Sequence, residues 1–317
     1  MTQGKAFEIL VKRILMHVGF TEVVSDGLYI FDGAPGQMIQ GLGEAHNADV
    51  LLQPPVQIPF NAPSRLLIEC KNYFKKVGLD ILRGALGLRE DINNFEVVDS
   101  EVMQRRRATG RRQRAQYSYD RYYYQVAVAS MNGFTIQAQE FALTHRISLI
   151  NFSDMPFWSD FTELIGYGRV REYGRMRPTR FAGEYHHIDD ENVYRFADSI
   201  GKNMAVAITP MGQMLFLYSI DGKLGFNDFY TLHWQDTNSL WRLESGENTY
   251  LFQLPDRIRN AWLVDMNANK VKESAIYCKA NYLANMVVYY FKDYKPTIKM
   301  ISIDKGALEA AFRNLRN

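Results

Sequence analysis

The chain is poor in cysteine: its 317 residues carry two, Cys70 and Cys278, far apart and without metal-ligand spacing. That excludes a disulfide framework or a zinc ribbon and fits a reducing compartment, so a cytoplasmic protein is expected. No apolar stretch approaches the roughly 20 residues a bilayer-spanning helix needs. The N-terminus reads as a charged amphipathic helix, not the apolar core of a signal peptide. No membrane partner is therefore expected. No Gly-x-x-x-x-Gly-Lys-Ser/Thr loop occurs, so any nucleotide-driven partner would be a separate chain. An excess of one charge is also lacking: the formal net charge is +2, which by itself names no partner.

What is present is enough apolar residue, 47% with 13% aromatic, to fill sizeable cores. The length allows two ordinary domains. Phe7, Leu10, Val11, Ile14, Leu15 and Val18 recur at helical spacing and Gly19 supplies a stop. Leu28–Phe31, Asp49–Leu52, Arg65–Lys71, Tyr122–Ser130 and Ile147–Asn151 read as strands, with helices over 79–93 and 134–145. Strands with helices between them imply a mixed sheet sandwiched by helices, an α/β architecture. Composition shifts after about Met155, and Arg177-Pro178-Thr179 reads as a linker or surface excursion. Beyond it a helix over 189–200, strands over 206–209, 214–220, 230–234, 240–243 and 250–254, and a helix from Lys305 capped by Asp304 give a separate α+β region, residues 170–317.

The chemistry centres on Glu69-Cys70-Lys71, which closes the apolar run Leu66-Leu67-Ile68. Side chains on a strand alternate, so Glu69 and Lys71 leave one face together. Asp49 opens a second apolar run, Val50-Leu51-Leu52, about twenty residues upstream. Two acids and a lysine on adjacent strand ends can hold a hard divalent cation with a water beside it, an apparatus for phosphodiester hydrolysis. The plainer alternative is a surface ion pair at a strand end.

The order helix, acid-bearing strand, acid-x-Lys strand, helix resembles the restriction-endonuclease-like superfamily, whose motif is written PD-(D/E)xK. Within it the chain is similar to the Mrr-like endonucleases. The residues that carry the likeness are Gly4-Lys5-Ala6-Phe7-Glu8, Leu10-Val11 and Gly19-Phe20, then Ala48–Leu52, Ile68–Lys71, Phe141-Ala142 and Ile147–Ile150. They span roughly residues 1–152, and the resemblance implies a nuclease domain over 1–165 acting on DNA, with defence against foreign or modified DNA as its role. It implies that Asp49, Glu69 and the Cys70 backbone carbonyl hold Mg²⁺, with Mn²⁺ as substitute. Lys71 would orient or deprotonate the attacking water, or stabilise charge on the phosphate, and Glu8 would add a ligand or position the lysine. The chain departs from the family's Gly-x-Asp-x-Gly-x-Asp lead, having Glu44-Ala45-His46-Asn47-Ala48-Asp49, which leaves His46 without an assigned role. Cleavage of both strands needs two active sites, so a homodimer is expected.

Alternatives stand beside several of these assignments. Glu8 could instead form an i,i+4 pair with Lys12. Gln137, Gln139 and Glu140 read as an exposed helix face, although a polar residue there could reach the lysine or DNA. Arg105, Arg106, Arg107, Arg111, Arg112 and Arg114, interleaved with tyrosines, form a phosphate-binding segment with rings that can stack on bases, or else a solvated loop. His186-His187 with Asp189-Asp190 reads as a helix start rather than a metal site, and Trp234, Trp241 and Trp262 as core. A nucleic-acid-binding or scaffold protein on an inactive nuclease fold, and a repair nuclease acting on RNA or branched DNA, are the competing functions.

Overall fold

The computed structural model describes residues 1–27, 29–34, 36–57, 62–94, 122–172, 175–180, 188–234, 240–255 and 282–316. Helix α1 (Gln3–His17) starts where the Thr2 hydroxyl accepts the Lys5 N–H at 3.2 Å, an N-cap. It stops before Gly19, whose φ of +102° and whose approach to Pro296, 2.7 Å from where a Cβ would sit, admit only glycine. The chain continues through β1 (Thr21–Glu22), then β2 (Ile30–Gly33), β3 (Gly36–Gln40) and β4 (Ala45–Asn47), then β5 (Val50–Gln53) and β6 (Ser64–Lys71). Helix α2 (Leu79–Asn93), β7 (Tyr123–Ser130), α3 (Ile136–His145) and β8 (Ser148–Asn151) follow.

Strands β2, β3 and β4 pair in sequence order as a small antiparallel sheet, and the main sheet runs β1-β5-β6-β7-β8. β5 is antiparallel to β6, whereas β6, β7 and β8 are parallel. Period two divides the main sheet between two cores. Val50, Leu52, Leu66, Ile68, Ala127 and Ile150 pack with α1. Leu51, Leu67, Val126 and Val128 pack with Leu82 of α2 and Ala138 of α3. The molecule is thus a mixed α/β fold with helices on both faces of the sheet.

The second half holds α4 (Trp158–Leu164), β9 (Tyr167–Glu172), β10 (Arg175–Arg180) and α5 (Asp190–Gly201). It then runs β11 (Met204–Ile208), β12 (Met214–Ser219), β13 (Phe229–Trp234), β14 (Leu240–Ser245), β15 (Asn248–Gln253), β16 (Asn285–Lys292), β17 (Lys295–Ile303) and α6 (Lys305–Arg316). Arg177-Pro178-Thr179 is not a linker: it lies in β10, paired antiparallel with β9. The α+β region resolves into a closed seven-stranded barrel in the order β11-β12-β15-β14-β13-β17-β16. Trp241 is buried inside it, as expected of a core residue. Asp189 caps α5 by accepting the Glu191 N–H, and Asp304 accepts the Ala307 N–H at the start of α6. The core on the α1 side continues into this half through Val193 and Ala197 of α5 and Met204, Val206 and Phe216 of the barrel.

Candidate active site

Asp49 stands just before β5, one step beyond the register pair Val50↔Ile68, which sets it opposite Glu69. Its Oδ2 accepts the backbone N–H of Cys70 at 2.8 Å, and its Oδ1 accepts from the Asn47 amide at 3.1 Å. Glu69 and Lys71 leave β6 on one face and form an ion pair at 3.0 Å, each about one-fifth exposed. The structure therefore brings Asp49, Glu69 and Lys71 together at the joined ends of β5 and β6.

Glu8 comes from α1, which packs on the Ile68 face of the sheet, and it acts on Cys70 together with Asp49. The alternative i,i+4 pair with Lys12 does not form. Glu8 is held by Lys5 at 2.8 Å, one turn back on α1, while Lys12 reaches across to Glu22 of β1 at 2.7 Å.

Charge at the site follows from these contacts. Burial works against the Lys71 ammonium, but the Glu69 carboxylate, with Asp49 behind it, outweighs that and raises its pKa. Lys71 is thus a cation rather than a ready base. Lys5 is also raised, chiefly by its hydrogen bond to Glu8, with Asp49 contributing. Burial pushes the Cys70 thiol well up, and Asp49 and Glu8 add to the shift, so Cys70 stays neutral and offers no thiolate.

Among the described residues no three His, Cys, Asp or Glu side chains form a metal-ligating group. Asp49 and Glu69 are two hard carboxylate donors, suited to an ion that keeps several waters rather than to a fully enclosed site. Oδ1 of Asn72 is buried with no hydrogen-bond partner among the described residues. Asn72 follows Lys71 and packs near Gly4 of α1. The residues present therefore fit a magnesium-like ion.

Other assignments change. Gln139 is not on an exposed face: it is buried and donates to the Phe134 carbonyl at 3.1 Å, while Gln137 and Glu140 are exposed. His46 pairs with Asp91 of α2 at 2.7 Å and anchors the approach to Asp49 instead of joining the site. Arg105–Arg114, Cys278, His186, His187 and Trp262 lie outside the described residues, as does the side chain of Trp234. The flanks of the arginine segment are fixed, however. Asn93 and Tyr124 exchange two hydrogen bonds, of 2.7 and 3.0 Å, at the start of β7. Glu69 pairs with Val128, four residues along that strand from Tyr124, so the anchor lies roughly 14 Å from the Glu69 backbone. Lys5, Asn47 and Asn72 were missed as site residues. The i,i+3 spacing of Lys5 and Glu8 was a usable signal, whereas nothing local marks a buried, unpaired Asn72.

No protein-family model matches the chain, and no curated protein matches it. The crystal structure of a protein of unknown function, AF1548, is similar to it at 16% identity, over 52% of this chain and 68% of that one, with a TM-score of 0.31. Among the described residues no helix is long and apolar enough to cross a membrane.

Proposed function

We propose that the chain is a metal-dependent endodeoxyribonuclease on a restriction-endonuclease-like fold. The observation that carries this reading is the meeting of Asp49, Glu69 and Lys71 at one sheet end. Asp49, Glu69 and the Cys70 carbonyl would hold Mg²⁺ or Mn²⁺. When bound, the ion supplies Lewis-acid polarisation of the phosphoryl group and lowers the pKa of water. Lys71, held protonated, stabilises the charge growing on the phosphate and orients the attacking water. Lys5 and Glu8, paired on α1, would contribute charge beside Cys70. The resemblance to Mrr-like enzymes gives restriction of foreign or modified DNA as the role, with a dimer for double-strand cutting and the barrel for recognition, dimerisation or regulation. The arginine segment would neutralise phosphates of the duplex backbone.

The closed Glu69–Lys71 pair favours a second reading, a nucleic-acid-binding protein on an inactive nuclease fold. Plasmid DNA, unmodified and cytosine-methylated, incubated with Mg²⁺ or Mn²⁺ separates the two. The nuclease reading expects cutting by wild type that Glu69→Ala and Lys71→Ala both lose. DNA binding without cutting, and without Mn²⁺ binding in a calorimetric titration, establishes the second.

A further inference from the structure

A cleft of about 830 Å³ lies between the β8 edge of the sheet and the barrel. Its lining includes an aromatic pair, Phe74 stacked on Tyr167 with centroids 5.4 Å apart, and the buried Trp158. Two amides on that lining have unused hydrogen-bonding atoms of opposite kind. Gln213 is only 5% exposed, and its Nε2 is spent on the Ile147 carbonyl at 3.0 Å. Its Oε1 has no partner among the described residues, yet is not sealed from the cleft. Asn151 accepts the Ser153 N–H through Oδ1 at 3.1 Å, which leaves its Nδ2 donor unused among the described residues.

The cleft also has a defined place relative to the candidate active site. Lys71, Ser130 and Asn151 form one row across β6, β7 and β8, and residues in one row share a face. Two strand spacings separate Lys71 from Asn151, about 10 Å. The Met131 N–H donates to the Lys71 carbonyl at 3.2 Å, fastening the near wall of the cleft to the end of β6.

An acceptor, a donor and an aromatic pair on one lining match the edge and face of a nucleobase, which presents donors and acceptors side by side on a planar ring. We propose that this cleft is a nucleobase-binding pocket, filled by a base turned out of the DNA strand held at Asp49, Glu69 and Lys71. The inference deepens the nuclease reading and rests on it for the source of the base. A free nucleotide has the same ring chemistry, and the test separates the two sources.

The full-length Lys71→Ala protein is titrated with end-labelled duplexes carrying 2-aminopurine at successive positions, reading anisotropy for binding and 2-aminopurine emission for unstacking. The expected result is a severalfold rise in emission at one position. Asn151→Asp keeps the Ser153 hydrogen bond but removes the donor, and is expected to abolish that rise and weaken binding about tenfold. Phe74→Ala, which leaves both amides in place, should reduce the rise independently. In a parallel arm, tryptophan fluorescence of the wild type is titrated with each deoxynucleoside monophosphate. Nucleotide binding lost in Asn151→Asp, by a protein that does not cut DNA, keeps the pocket and sinks the nuclease reading. DNA that is bound and cut by wild type, with no emission change at any position and no nucleotide bound, overturns the pocket and leaves the nuclease.

Discussion

Asp49 has two tasks that substitution can separate. Its Oδ2 satisfies the Cys70 N–H, and its negative charge serves the proposed cation. Asp49→Asn keeps an acceptor for the amide, whereas Asp49→Ala leaves that N–H unpaired in a part-buried place, costing about 1–3 kcal/mol. Thermal melting should therefore show Asn near wild type and Ala lowered, with DNA cutting lost in both. Unaltered cutting by the Asn variant would remove Asp49 from the site. Lys71 gives a prediction with a sign. Its pKa is raised in the folded protein, so its contribution to stability is complete below the unfolded value of about 10.4 and is lost as pH rises through the higher folded value. As a standing cation it should tolerate replacement by another cation better than loss of charge. Lys71→Arg should retain slow plasmid nicking where Lys71→Met has none, and a mechanism in which Lys71 removes a proton predicts that both are equally dead.

At the scale of elements, the contact between α1 and α5 depends on close fit and charge. Arg13 donates twice to Asp198, at 2.6 and 2.7 Å, and His17 meets the same carboxylate at 3.0 Å. Gly201 lets the His17 ring lie where a Cβ would be 2.4 Å from it. Alanine normally improves a helical glycine position by roughly 0.5–1 kcal/mol. Here Gly201→Ala should instead lower the melting temperature, because overpacking costs typically 1–3 kcal/mol. A higher melting temperature would show that the ring moves aside freely. Nothing in the sequence announces this contact, since Arg13 and Asp198 are nearly two hundred residues apart. What was legible was local. β5, β6 and the core of β7 are short apolar runs, and α2 spans 79–93 as its periodicity implies. β3 and β4 were missed because Gly36–Gln40 and Ala45–Asn47 carry few apolar residues and take their shape from pairing with each other. β16 and β17 were lost in a mixed stretch, since their definition comes from partners distant in sequence. In the site, the acid-x-Lys alternation was readable from period two, but the Lys5–Glu8 pairing and the face from which Glu8 arrives depend on how α1 docks.

At the scale of the whole molecule, the change of composition after about Met155 divides the chain more cleanly than it divides the core. Phe7 and Ile14 of α1 share a buried cluster with Val193 of α5 and Phe216 of the barrel. A fragment ending at residue 165 should therefore bind a hydrophobic dye and melt well below the full-length chain, which should unfold in one transition. A fragment that melts at the full-length temperature would show that the shared cluster is dispensable. The barrel closes late in the chain: β11 pairs with β16, and β17 runs parallel to β13. The proposed catalytic residues, by contrast, are all present by Lys71. At synthesis rates of about 5–20 residues per second, tens of seconds pass between the emergence of Lys71 and that of Ile303. Throughout that interval the ribosome carries Asp49, Glu69 and Lys71 without the full barrel wall that backs α1, so the order of translation would itself delay the proposed activity until the last strand is in place.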